Sequence, residues 1–182
     1  MGDFDRLAHE KDRAEITAMV VDDDRDTVDV LSYLLQIKGI SVVGVGYNGS
    51  EAVKIYKERR PDVVFLDVLM ERRDGFYTLE KIREIQHDAI VILITADVIP
   101  QTRERLEKLY ASAIIYKPYD INEVMDTTNK LVVKLKQKLS GEINYKKAVL
   151  KKLNQILENR QHESDTSKLR LLQYLHDREK LV

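Results

Sequence analysis

Four short apolar runs in this chain stop at residues able to do chemistry. Ile16–Val21 (ITAMVV) enters Asp22-Asp23-Asp24, with Asp26 two positions on. Val63–Leu66 enters Asp67. Ile90–Ile94 (IVILI) enters Thr95-Ala96, and Ala113–Tyr116 enters Lys117-Pro118. Two carboxylates about 4 Å apart, at an effective dielectric near 20, repel by roughly 4 kcal/mol. A few such pairs rival a whole domain stability of about 5–15 kcal/mol. A divalent cation offsets that repulsion. Oxygen ligands without His or Cys select Mg²⁺, Mn²⁺ or Ca²⁺, and Mg²⁺ keeps positions free for phosphate oxygens. A metal beside Asp67, with Thr95 and Lys117 near, is equipment for phosphoryl transfer. The carboxylate is then the nucleophile, and metal, Thr and Lys share the oxygens of the moving group.

This holds only if the fold brings the four strand ends together. The intervening segments have helical spacing. Val28, Leu31, Leu34 and Leu35 share one face of Thr27–Lys38, which Gly39 can end. Either Asp24 or Asp26 is expected to cap it. Ile40–Val45 is β-branched and strand-like. Ser50–Arg59 is helical behind Asn48 or Ser50 as cap, as are Phe76–Ile85, Gln101–Tyr110 and the stretch from Ile121. Ile90–Ile94 suits the centre of a parallel sheet, where both faces are covered. Five strands alternating with five helices predict an α/β fold with a five-stranded doubly wound parallel sheet. Ligands of such sheets sit at the carboxyl ends of the strands, near the switch in strand order.

Composition bounds the rest. Of 182 residues, 43% are hydrophobic and 34% charged, a globular balance. No run approaches the roughly 20 apolar residues of a membrane span. The first residues carry no signal-peptide core. Cysteine is absent, which excludes disulfides and thiolate metal sites. His9, His87, His162 and His176 show no ligand spacing. A cytoplasmic location is expected. Net charge is −1, yet the 52 residues from Leu131 hold twelve Lys/Arg against six Asp/Glu, or +6, and the first 130 residues total −7. That contrast suggests an arm over 1–14, a domain over 15–130 and a basic helical extension over 131–182.

Together, Val20-Val21-Asp22-Asp23-Asp24, Phe65-Leu66-Asp67-Val68-Leu69-Met70 with Asp74-Gly75, Ile92-Leu93-Ile94-Thr95-Ala96 and Tyr116-Lys117-Pro118-Tyr119 resemble the receiver domain of two-component response regulators, a flavodoxin-like fold. The resemblance covers residues 16–130. It implies that Asp67 accepts a phosphoryl group from the phosphohistidine of a histidine kinase or phosphotransfer protein. It implies that Asp23, Asp67 and the Leu69 carbonyl bind Mg²⁺, with Asp22 acting mostly through a water. Thr95 would hydrogen-bond one phosphoryl oxygen and Lys117 pair with another. Phosphorylation would draw Thr95 inward and reshape the surface of the fourth helix, fifth strand and fifth helix. The implied role is signalling, not enzymatic beyond the domain's own phosphorylation and dephosphorylation. This chain departs from the family in two places. Ile114 stands where a switch aromatic is frequent, with Tyr116 two residues on. Met70-Glu71 replaces Met-Pro. Leu69 and Asp97 occupy positions that tune dephosphorylation.

Other readings fit less well. A haloacid dehalogenase-type phosphatase needs an acidic residue at Leu69. A flavin binder needs a phosphate loop, not an acidic one, after the first strand. In the tail, Ser140-Gly141 is expected to interrupt the fifth helix. A second helix follows over 143–159, then a polar linker over 161–167 and a final helix around Leu169, Leu172 and Leu175. No strand pattern for a winged helix appears. A switch that changes partner, or that dimerises through the fourth helix, fifth strand and fifth helix or through the tail, is preferred. A DNA-binding regulator using the basic tail and a non-switching docking module are the alternatives.

Overall fold

The computed structural model describes residues 15–70, 75–96, 104, 108 and 110–159, with side chains as far as 155. The elements are β1 (Thr17–Val21), α1 (Arg25–Ile37), β2 (Ser41–Gly46), α2 (Gly49–Arg59), β3 (Val63–Asp67), α3 (Gly75–Ile85), β4 (Ile90–Thr95), β5 (Ala113–Tyr116) and α4 (Ile121–Asn159). The five strands form one sheet in the order β2-β1-β3-β4-β5, with every pairing parallel. The predicted doubly wound sheet is therefore the observed one. From β1 the chain crosses to one side to lay down β2, then returns past β1 for β3, β4 and β5. The switch in strand order falls between β1 and β3, so the ends of these two strands open the crevice.

Strand composition explains the layering. Every residue of β3 and β4 is buried, as continuous apolar runs under two helical layers should be. One face carries Met19, Val21, Val64, Leu66, Val91 and Leu93, packed with Tyr56 of α2 and with Leu79 and Ile82 of α3. On α1, Val28, Leu31 and Leu35 are buried at helical spacing, as are Val124, Thr128 and Val132 on α4. Lys38 Nζ donates to Asn122 Oδ1 at 3.1 Å, tying the end of α1 to the start of α4.

The caps follow from side-chain chemistry. Asp24 is the α1 cap: its carboxylate accepts from Asp26 N–H at 3.0 Å and Thr27 Oγ1 at 3.1 Å. Those bonds, Thr27 first, hold its carboxyl below the usual carboxylate range. Asn48, not Ser50, caps α2 through Glu51 N–H at 3.0 Å. Gly39 has φ +82°, a left-handed conformation that suits glycine at a helix end.

Arg83 of α3 works at the opposite edge of the sheet. Its guanidinium donates to the carbonyls of His87 and Ala89, to that of Tyr110 at 2.6 Å and to Ser112 Oγ at 3.2 Å. It thereby fastens the segments that lead into β4 and β5.

One expectation is corrected. Ser140-Gly141 does not interrupt the last helix, which runs unbroken from Ile121 to Asn159. A glycine in a helix interior costs about 1 kcal/mol against alanine. The flanking Lys, Leu, Gln and Glu are good helix formers and carry the helix through it. The chain divides by contact into two units, 1–134 and 135–182, so the helix continues past the first unit as a helical C-terminal extension. The expected arm, fourth helix, polar linker and final helix fall wholly or mostly outside the described residues. Among the described residues no helix is long and apolar enough to cross a membrane.

Candidate functional site

The sheet brings the expected strand ends to one edge. Asp22 follows β1 directly and is 5% exposed, and Asp67 closes β3 at 7%. Both are carboxylates sunk at the switch point. Asp23 is exposed beside them. One carboxylate oxygen from each of Asp22, Asp23 and Asp67 lies within 4.8 Å of the other two, an arrangement able to hold a metal ion. Every donor is a hard oxygen, with no His or Cys in the group. That set fits Mg²⁺ or a similar ion and not a soft metal.

Lys117 is the cation on hand. It follows β5, and a cis peptide bond joins it to Pro118. Its Nζ donates to Asp22 Oδ2 at 2.7 Å and to Asp67 Oδ1 at 3.2 Å, bridging the two buried carboxylates. The other Asp67 oxygen accepts from Leu69 N–H at 3.1 Å, and Asp22 Oδ1 accepts from Asp24 N–H at 2.9 Å. Burial pushes the Asp67 carboxyl up to about 6, Lys117 opposes that shift and Asp22 adds to it. Burial pulls the Lys117 ammonium down, but Asp22 and Asp67 outweigh it and leave the net shift upward.

Thr95 ends β4, fully buried, one position beyond the strand partner of Asp67. Its carbonyl accepts from Lys117 N–H at 2.8 Å, which joins the ends of β4 and β5. Leu69 is 55% exposed at the mouth of the site. Asp26 lies on the rim. With Thr27, Val30, Lys117 and Tyr119 it lines a groove of about 320 Å³. Tyr119 also touches the small void under Asp22 and Asp67. Its hydroxyl is pushed up by burial, with Lys117 opposing. Sequence reasoning gave Tyr119 no role, although its place directly after Lys117-Pro118 was a usable signal. On β5, Ile114 is half-buried and packed against the core, while Tyr116 pairs in register with Thr95.

Gly75 matters more than its motif position suggests. Its N–H donates to the Val68 carbonyl at 2.9 Å. A Cβ there would overlap the Asp67 carbonyl oxygen and sit 2.7 Å from Val68 Cα. The start of α3 thus presses on the backbone that carries Asp67. Gly75→Ala is expected to destabilise the protein by about 1–3 kcal/mol, the usual cost of overpacking. It should also slow any chemistry at Asp67. Urea unfolding and phosphorylation rates measured on one preparation check both effects.

A five-stranded parallel sheet with paired acids, a Thr and a Lys at its switch edge defines a receiver. The chain belongs to the response regulator receiver domain family, whose model matches residues 18–129. It is 32% identical over 114 residues to the chemotaxis protein CheY of Bacillus subtilis (strain 168), covering 62% of this chain and 93% of CheY. It is 30% identical over 119 residues to the probable C4-dicarboxylate response regulator DctR of the same organism, covering 65% of this chain. The match spans only about half, 53%, of DctR. Among solved structures, that of the CheX–CheY–BeF3–Mg²⁺ complex from Borrelia burgdorferi matches with a TM-score of 0.61 at 30% identity, covering 64% of this chain and 88% of that one. A CheY-like receiver domain protein from Methanospirillum hungatei JF-1 shares the fold, with a TM-score of 0.65 at 17% identity over 69% of this chain and 99% of its own.

Proposed function

We propose that this receiver, over residues 15–130, is a cytoplasmic phosphoacceptor switch in which Asp67 takes a phosphoryl group from the phosphohistidine of a histidine kinase or phosphotransfer protein. The supporting observation is the bridge from Lys117 to Asp22 and Asp67 inside a three-carboxylate cluster. In the transfer, an Asp67 oxygen forms the new bond to phosphorus. The P–N bond breaks, its electron pair goes to the imidazole nitrogen, and that nitrogen takes up a proton. Asp22, Asp23, Asp67 and the Leu69 carbonyl are the groups that would hold Mg²⁺, which supplies positive charge to the phosphoryl oxygens when bound. Lys117 serves the same end from the other side, once its bond to Asp67 is exchanged for one to a phosphoryl oxygen. Thr95 offers a hydroxyl donor to another. The groove beside Lys117 and the exposed α1 residues Val30, Tyr33 and Ile37 form a surface on which a donor protein can rest.

The output is a change of partner or of oligomeric state, carried by the surface around β5 or by the helical extension. The chemistry is confined to the domain's own phosphorylation and dephosphorylation. Phosphoramidate, a small P–N donor, tests this reading. With Mg²⁺ it should add one phosphoryl group by intact mass and shift the elution volume in size exclusion. Lack of any adduct, with beryllofluoride also failing to bind, would reject the phosphoacceptor role. An adduct without change in size or partner binding would leave a docking module.

A further inference from the structure

Beyond Lys134 the helix presents an apolar face that is open among the described residues. Leu139, Ile143, Val149 and Leu150 are 43%, 52%, 36% and 58% exposed. With Leu135 and Leu153 they recur at helical intervals, so they form one stripe along α4. Two charged residues, Glu142 and Lys146, interrupt it one turn apart. They lie symmetrically about position 144, as do Leu139 and Val149, and Leu135 and Leu153. Glu142 is 4.0 Å from Lys138 at the exposed edge of the helix, a loose pairing that can be exchanged.

From this symmetry we infer that α4 pairs antiparallel with α4 of a second copy, about a twofold axis at residue 144. Charge complementarity selects both the partner and the direction. A parallel pair would set Lys146 against Lys146 and Glu142 against Glu142 in the middle of an apolar seam. The antiparallel pair sets Lys146 against Glu142 twice, with Leu139 on Val149 and Leu135 on Leu153 to either side. A polar pair at a seam position fixes register and orientation in this way. The interface is isologous, so each contact occurs twice. Lys138 and Lys152 approach each other at the wet edge, where their long stems keep the amines in water and salt screens them. The stripe from Leu135 to Leu153 is about 27 Å long at 1.5 Å per residue. So short a seam fits a reversible dimer formed at micromolar concentration. This pairing does not depend on phosphorylation of Asp67.

Sedimentation equilibrium on the full, unphosphorylated chain tests it. Wild type should be a reversible dimer. Lys146→Glu alone, or Glu142→Lys alone, should weaken it at least about tenfold, because each change acts twice. The double exchange Lys146→Glu/Glu142→Lys should restore it. The chain has no cysteine of its own, so cross-linking reads the direction. Leu139→Cys and Val149→Cys chains should form a mixed disulfide when combined, and neither should form one alone. A wild type that is monomeric throughout, a double exchange that stays weak, or a Leu139→Cys homodisulfide would each overturn the inference. All of these positions are exposed or half-buried on one helix, and circular dichroism of each variant separates a lost contact from a lost fold.

Discussion

Lys117→Met should destabilise the metal-free protein at neutral pH by about 2–4 kcal/mol, more than any other single change at the site. Lys117 is the cation that bridges Asp22 and Asp67, at 2.7 Å and 3.2 Å. The side chains of both acids are less than a tenth exposed, so water screens them poorly once it is gone. Removing one partner of a buried ion pair typically costs about 3–5 kcal/mol. The Lys117 side chain is 27% exposed, so solvent screening moves the expected cost somewhat below that range. Two signatures separate this loss from simple loss of packing. Lowering the pH should recover stability, because protonating Asp67 removes one of the two opposed charges. Adding Mg²⁺ should recover it too, because a cation returns to the cluster. Urea unfolding at pH 7.5 in EDTA, with and without Mg²⁺, checks both. A Lys117→Met protein as stable as wild type in EDTA would mean that the bridge contributes nothing net.

Asp67→Asn should do the opposite and stabilise the metal-free protein above pH 6. The Asp67 carboxyl sits at about 6 in the fold, against 3.8 for a free side chain. The folded state therefore holds the proton more tightly than the unfolded one. The stability this contributes is fully present below about pH 4 and lost as pH rises through about 6. Above that, wild type carries a penalty of up to about 3 kcal/mol, at 1.36 kcal/mol per unit. Asn has the same shape without the charge, so its stability should stay flat between pH 4 and 6. The gap should close at low pH and narrow when Mg²⁺ binds wild type in preference. Thermal unfolding across that range in EDTA reads the effect. Parallel pH profiles for the two proteins would show that burial does not tax the Asp67 charge.

The two changes act on one balance from opposite sides. Stability is given up at the switch edge by holding acids close together, and the lysine returns part of it. Such local cost is expected where a site is built to receive charge.

Much of this edge was legible in the sequence, for a physical reason. A fully covered parallel strand must be apolar throughout, so its first polar residue marks the end of the strand at the sheet's edge. Val63–Leu66 before Asp67 and Ile90–Ile94 before Thr95 place those residues to within one position. The choice between Asp24 and Asp26 as cap was not legible, since both can accept an N–H and only the entry of the chain into α1 decides. Arg83 was also hidden. Its acceptors at Ala89 and Tyr110 gather only once β4 and β5 pair, and no periodicity announces that. The run through Ser140-Gly141 misled because a local helix penalty of about 1 kcal/mol is small against many helical neighbours. Gly75 shows the converse. Its neighbours in space, Asp67 and Val68, are set by the sheet and by the turn into α3.

The most direct measurement locates the phosphoryl group. The protein is treated with acetyl phosphate and Mg²⁺, reduced with borohydride, which converts an acyl phosphate to the alcohol, and digested for tandem mass spectrometry. Conversion of Asp67 to homoserine, dependent on Mg²⁺ and absent in Asp67→Asn, is the expected result. Reduction at another carboxylate, or at none while beryllofluoride also leaves the protein unchanged, would contradict the assignment of Asp67 as acceptor.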